Sequence, residues 1–194
     1  MARPREFDLN EALDAATAAF WRRGYEATSL ADLMSETGLQ KGSIYKAFGD
    51  KHRLFMCVLE RYLGGIRNLM REASRTGRSP RGVILKLFTL MIDSAPIDGR
   101  ECRGCFAVNT LVELGPYDDQ VRTLLDQHFL QIRRHLHELV KAGQDRGEIR
   151  GDQPSAKLAQ FLLTQTIGLL AGLKGALSKA EAHRQARLAL DLIA

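Results

Sequence analysis

The sequence predicts an all-α protein of about nine helices, a small three-helix head joined by a long helix to a helical-bundle body. Three observations carry that expectation. Apolar residues recur at helical spacing along the chain, and strand-like alternation bounded by hairpin turns is absent. Pro4, Pro80, Pro96, Pro116 and Pro154 all stand outside the periodic apolar segments, where proline would cost ~3 kcal/mol. Serines and aspartates precede those segments and glycines follow them, as helix caps do.

The first helix is expected from about Asp8 to Arg23. Asp8 is its N-cap with Glu11 three residues on, and Gly24 is its stop. Leu9, Ala12, Leu13, Ala16, Ala19 and Phe20 form its inward stripe. A second helix starts at Ser29, where Ser29 and Asp32 read as a capping box, and stops at Gly38, with Leu30, Leu33 and Met34 inward. A short third helix spans about Lys41 to Ala47, with Ile44, Ala47 and Phe48 toward the core. After the Gly49-Asp50 turn, Asp50 caps a long fourth helix to about Arg75.

Ser79-Pro80 opens a fifth helix that runs through Ile92. Residues 95–103 read as a polar loop, and a sixth helix follows over roughly Gly104 to Leu114, ended by Gly115-Pro116. The seventh covers about Asp118 to Arg146 and stops at Gly147. Pro154 opens an eighth through Leu177, and Ser178 with Glu181 forms a second capping box that opens a ninth to the C-terminus. The expected division is a head in residues 1–50 and a body in residues 51–194.

Composition excludes several classes. Of 194 residues, 45% are hydrophobic and 26% charged, ordinary for a globular protein. No apolar run approaches the ~20 residues of a membrane helix, and Met1 to Glu6 lack the apolar core of a signal peptide, so a cytoplasmic protein without a membrane partner is expected. Three cysteines argue against a disulfide framework. There is no nucleotide-binding glycine loop, no nucleophile elbow and no metal-binding histidine pair. His135 and His137 are two apart and point to different sides of a helix. No enzyme, cofactor or metal is therefore expected. The net charge of +5 does not locate a polyanion site, because Lys/Arg and Asp/Glu balance over residues 1–55. Local charge does: Lys41, Lys46, Lys51 and Arg53 stand against Asp50 alone between Leu39 and Arg53.

A helix ending at a glycine, a tight turn and a short basic second helix make a helix-turn-helix, whose second helix enters the DNA major groove. The residues from Thr28 to Lys51 resemble the signature of the TetR family. The match is carried by Thr28, Ser29, Asp32, Leu33, Thr37, Gly38, Leu39, Lys41, Gly42, Ser43, Ile44, Tyr45, Phe48 and Lys51. It covers about the first 55 residues; beyond them only the helix layout agrees. The resemblance implies a ligand-responsive, sequence-specific transcriptional regulator whose partners are double-stranded operator DNA, a second copy of the chain and a small-molecule inducer. It implies that Thr28, Tyr45 and Lys51 grip phosphates, with Ser29 in the same contact set. Gln40, Lys41, Ser43 and Lys46 would lie along base edges or nearby backbone, and Gly42 would let the helix start approach DNA.

In the body, Gly168, Gly172 and Gly175 lie on one face of the expected eighth helix, and Ala182, Ala186, Ala189, Leu190 and Ile193 on the ninth. The resemblance implies that these two helices form a four-helix dimer interface, through Gly168, Gly172, Gly175, Ala186, Ala189 and Leu190; ordinary packing within the chain is the alternative. It places a ligand pocket among the fourth to eighth helices. Candidates for its lining are Phe88, Met91, Phe106, Asn109, Thr110, Glu113, His128 and Gln165, each equally readable as core or surface. Cys102 and Cys105 lack two further ligands at zinc spacing. They read either as thiol sensors, activated by Arg100 and Arg103, or as inert cysteines. A helical protein-interaction module without operator binding is the competing reading of the whole chain.

Overall fold

The computed structural model describes residues 8–99 and 101–194. Among these residues the architecture is helical: α1 (Leu9–Arg23), α2 (Leu30–Thr37), α3 (Lys41–Phe48), α4 (Lys51–Thr76), α5 (Pro80–Asp93), α6 (Phe106–Glu113), α7 (Asp119–Asp145), α8 (Ser155–Gly172) and α9 (Lys179–Asp191). A two-residue antiparallel ladder, β1 (Ile97–Asp98) with β2 (Glu101–Cys102), pairs Ile97 with Cys102. It replaces the polar loop expected there, because Asp98-Gly99 supplies the left-handed turn of a tight hairpin, Gly99 having φ +61°. No helix among the described residues is long and apolar enough to cross a membrane. The N-terminal segment read for a leader lies outside the described residues, as does Arg100.

The chain divides into two compact units, residues 1–62 and 63–194. The division falls inside α4, whereas the sequence reading put it where α4 begins.

In the first unit, α1 and α2 are capped as their sequences require. The Asp8 carboxylate accepts from the Asn10 amide at 2.7 Å. Ser29 and Asp32 close a complete capping box over α2. The core centres on Phe20, Leu33, Ile44 and Phe55, none more than 1% exposed. Phe55 of α4 meets Phe20 of α1 edge-on, ring centres 5.1 Å apart, and Tyr25 at 4.9 Å. Arg22 pairs with Glu36, Arg23 with Asp32 and Arg61 with Asp14, tying α1 to α2 and to α4 at the surface. Exposed pairs of this kind contribute about 0–1 kcal/mol each, so the aromatic core decides the packing. Two expected inward residues are corrected. Leu9, at 49% exposure, begins α1 beyond the reach of the core. Ala47 is exposed because α3 enters the core through Ile44, with Phe48 half-buried at its end.

In the second unit, α5, α7, α8 and α9 share one apolar core, with Ile84, Ile92, Leu125, Ile132, Leu136, Leu162 and Ala182 at 1% exposure or less. α7 packs along α8, and α5 against α9. Ser79 caps α5 ahead of Pro80, and Ser178 with Glu181 forms the second capping box. α6 starts at Phe106, two residues later than expected, because Gly104 takes φ +64°. A Cβ on Gly104 would stand 3.0 Å from the Leu170 carbonyl oxygen, so this loop lies against the end of α8. α8 ends at Gly172, which leaves Gly175 in the following turn.

The Ser29 box lowers the Asp32 carboxyl from 3.8 to about 2, chiefly through the Ser29 hydroxyl and amide and then Arg23. A depressed carboxylate stabilises the fold above pH 3.8, and that stability is lost as pH falls toward about 2. Ser29→Ala should return Asp32 toward the ordinary carboxylate range in a carbon-detected NMR titration and lower Tm by a few degrees. An Asp32 titration unmoved by the substitution would contradict the box.

Candidate nucleic-acid interface and effector groove

α3 carries two lysines and no acidic residue among its eight. Ile44 turns inward at 1% exposure, and the opposite face stays open. Gln40, Lys41, Gly42, Tyr45 and Lys46 are exposed and Ser43 is half-buried. Gln40 stands at the N-cap without a side-chain cap bond. A Cβ on Gly42 would meet nothing within 4 Å, so the helix start is unobstructed by the chain itself. The Lys41 ammonium lies 5.8 Å from the Tyr45 ring centre. Neither Lys41 nor Lys46 has an ion pair among the described residues. Lys51, the first residue of α4, holds its ammonium 4.2 Å over the Tyr25 ring, a cation–π contact that fixes the charge beside α3.

Two residues of the expected contact set are corrected. Thr28 is fully buried, and its hydroxyl donates to the Gly24 carbonyl at 2.6 Å. The Ser29 hydroxyl donates to Asp32 at 2.6 Å and accepts from the Asp32 amide at 3.1 Å. The Thr28 hydroxyl is spent on the end of α1 and the Ser29 hydroxyl on the start of α2. The other seven residues, Gln40, Lys41, Gly42, Ser43, Tyr45, Lys46 and Lys51, share one surface across α3 and the start of α4.

The expected pocket lining in the body does not assemble into a cavity. Phe88, Met91, Phe106 and Thr110 are core, at 2–5% exposure. The Asn109 amide donates to the Arg103 carbonyl at 2.9 Å, and Glu113 and Gln165 are half-buried. The periodic apolar residues meet each other in the core. Grooves open elsewhere in the body, and one of about 550 Å³ lies between α4 and α7, lined by Arg67, Met70, Arg71, Ser74, Gln131 and His135. The sequence carries a signal for it. Arg67 and Arg71 are four apart, and neither has an acidic residue three or four positions away.

Of the expected lining residues, His128 stands one turn before Gln131 on α7 and feels the charge of Arg67, without itself lining the groove. It is 4% exposed, and its Nδ1 is buried without a hydrogen-bond partner among the described residues. Burial, aided by the Arg67 charge, lowers its pKa from 6.5 to about 4. Burial also lowers His135, whose Nε2 lies 3.2 Å from the Ser74 hydroxyl. His137 points elsewhere, to Ser155 at 2.9 Å.

The cysteine geometry favours packing over reactivity. Cys105 is 4% exposed at the N-cap of α6, and Cys102 is half-buried. Arg103, read as an activating cation, is paired with Asp98 at 2.7 Å. On the expected dimer face, Ala186, Ala189 and Leu190 are 1–3% exposed within a single chain. They are corrected to intrachain core, since α9 turns that stripe onto its own body. A Cβ on Gly172 would strike Leu177 of the same chain at 2.7 Å, whereas Gly168 and Gly175 face open space.

Residues 12–56 match the family described as bacterial regulatory proteins, tetR family, and residues 84–190 match the tetracyclin repressor-like C-terminal domain. The chain belongs to the TetR family. Its TetR relatives include the HTH-type transcriptional repressor ComR of Escherichia coli (strain K12), 35% identical over 163 residues, which cover 82% of this chain and 76% of ComR. The HTH-type transcriptional repressor DhaR of Mycobacterium sp. (strain GP1) is 28% identical over 84% of this chain and 80% of DhaR. Among solved structures, a cysteine-mutant form of the TetR family regulator CifR, complexed with 26bp double-strand operator DNA, superposes with a TM-score of 0.85 at 28% identity, covering 100% of both chains. This chain is accordingly a DNA-binding transcriptional regulator of the TetR type, with α2 and α3 as its helix-turn-helix.

A histidine held neutral by burial makes stability pH-dependent. Below pH 6.5 the unfolded chain takes up a proton at His128 that the folded chain takes up only near pH 4. Its contribution is intact above pH 6.5 and falls as pH drops toward about 4. Tm measured across that window should fall less steeply in His128→Leu than in the wild type; equal slopes would show that His128 titrates as an exposed histidine.

Proposed function

We propose that the protein is a repressor that binds its operator as a homodimer and is released when a small molecule enters the body. The observation that carries the DNA half is the open face of α3, where Gln40, Lys41, Ser43, Tyr45 and Lys46 surround a single buried anchor, Ile44. A lysine can reach guanine, and a glutamine can read adenine at N6 and N7. Tyr45 and Lys51 supply phosphate contacts that set register and orientation. ComR and DhaR are named as repressors, and CifR is bound to operator DNA, which supports the same role here.

Homodimerisation draws on a different surface from the one first expected. The exposed line of α8 runs through Gln160, Thr164, Gly168 and Ala171, all uncharged, and Gly168 has open space above it. On α9, Leu188 and Leu192 are 48% and 60% exposed and lie on one face. Small residues permit close helix approach, and two exposed leucines supply apolar area that a second copy would cover. Two heads related by a two-fold axis read an inverted repeat with half-sites ~34–36 Å apart or a multiple of it.

Release requires a ligand that binds the DNA-incompetent state better than the DNA-bound one, since a ligand shifts an equilibrium only by its differential affinity. The α4–α7 groove, at about 550 Å³, offers room for it.

The test of the DNA half is a mobility shift on upstream genomic DNA. Lys46→Ala and Tyr45→Ala should each weaken operator binding roughly tenfold, with the salt slope for Lys46→Ala reduced by about 1. Wild-type affinity in both variants would remove α3 from the recognition role, and no operator binding by the wild type would favour the protein-interaction module. For the dimer, Leu188→Asp should produce monomers in sedimentation velocity while Val112→Asp, at a still more exposed apolar position on α6, does not; an intact Leu188→Asp dimer would place the interface elsewhere.

A further inference from the structure

The groove between α4 and α7 carries two guanidinium groups and no carboxylate. Arg67 and Arg71 stand one turn apart on α4, and like charges at that spacing repel. Arg67 makes no hydrogen bond or ion pair among the described residues, and the partner of Arg71 is the neutral Asn68 side chain. Contrast Arg22, Arg23 and Arg61, each held by a carboxylate. No acidic residue lines the groove. Its other wall is Gln131 and His135, the latter tied to Ser74 of α4 across the floor at 3.2 Å. One turn along α7, His128 is buried with its Nδ1 unpartnered and lies within the field of Arg67. Met70 provides an apolar strip between the two arginines.

In the basic groove between α7 and α8, likewise without an acidic lining residue, Arg133 donates to the Gln160 side chain at 3.3 Å and His137 meets Ser155 at 2.9 Å.

We propose that the α4–α7 groove is the effector site and that its ligand is an organic acid: a carboxylate gripped by Arg67 and Arg71 on a compact apolar body laid against Met70. The proposal rests on the reading of the body as a sensor and names the chemistry it senses. Guanidinium groups meet a carboxylate through two parallel N–H donors, a geometry that a lysine or an amide does not reproduce. An acid removes the Arg67–Arg71 repulsion by supplying the missing counter-charge. Gln131 and His135 then donate from the opposite wall. A neutral molecule of the same shape leaves the arginines as they are and gains only the apolar contact.

The experiment uses the full-length protein with octanoate and phenylacetate as probes, octanamide as the neutral isostere and inorganic phosphate as the bare anion. Binding is followed by calorimetry and thermal shift. The expected result is saturable binding of at least one acid, no saturation by octanamide or phosphate, and a tenfold or greater loss in Arg67→Gln and in Arg71→Gln. Arg67→Lys should recover only part of the affinity. Operator affinity of each variant without acid, equal to wild type, shows that the variant is folded. Binding of octanamide or phosphate as tight as that of the acids overturns the proposal, as does acid binding indifferent to both arginines or no acid binding at all. Acid binding that needs both arginines but leaves operator affinity unchanged sustains the site and refutes the release mechanism instead.

Discussion

The structure of the head turns on the single buried side chain by which α3 is held. An eight-residue helix is marginal by itself and must borrow stability from its surroundings. Ile44 docks α3 against a core whose other large members, Phe20, Leu33 and Phe55, come from α1, α2 and α4. Two glycines bound the element: Gly38 in the left-handed region at φ +69° ends α2, and Gly49 at φ +88° ends α3. Because the anchor is one residue wide, most of the remaining α3 positions are free of packing duty. That freedom lets a recognition helix keep lysines, a tyrosine and a glutamine outward without harming the fold.

The polar chemistry divides along the same line. Where polar groups serve stability they are saturated. Ser29 and Asp32 satisfy each other and the first turn of α2, Thr28 returns its hydroxyl to Gly24, and the α1 arginines end on carboxylates. Where a charge is left without its counterpart, burial cost or repulsion is being borne, and some other interaction must offset it. Lys41 and Lys46 bear it on α3, at little cost because water solvates them. Arg67 and Arg71 bear it as exposed side chains of α4, near a histidine that burial has driven neutral.

Much of the fold was legible because its signals are local. Asp8, Ser29, Ser79 and Ser178 cap the helices they were expected to cap, and Gly24 and Gly38 stop theirs. The signature from Thr28 to Lys51 marked the helix-turn-helix, and the structure keeps seven of its nine expected contact residues outward or at the rim. The losses have physical causes. A threonine hydroxyl that turns back four residues to Gly24 is invisible in a pattern that records only residue type. Which side of α9 faces home depends on α5 and α8, so Ala186, Ala189 and Leu190 read as a partner's surface until those helices were in place. Cavities are harder still, because apolar periodicity predicts where side chains converge and a pocket is where they fail to. Phe88, Met91 and Phe106 converged, and the groove opened between two helices through arginines that the apolar pattern ignores.

Unpaired charge in the body also bears on how a regulator of this kind can be sensitive. Coupling between two sites is reciprocal: whatever factor the effector takes from operator affinity, the operator takes from effector affinity. Typical couplings are 1–3 kcal/mol, the scale of a few charge-assisted hydrogen bonds. Two exposed arginines one turn apart repel by only about 0.2–0.5 kcal/mol, so most of such a coupling would come from the bonds an effector makes to them. Their helix, α4, begins at Lys51, whose ammonium is fixed over Tyr25 beside α3, and reaches Arg67 and Arg71 without a break. A proline or a long insertion between those points would interrupt the one continuous element on which Lys51 and the two arginines sit. The sequence places neither there: between Lys51 and Arg71 its conformational exceptions are Gly64 and Gly65, which the helix absorbs without a positive φ. That pair lowers local helix propensity by roughly 1 kcal/mol per residue, which puts the most deformable point of α4 between the two charged sites.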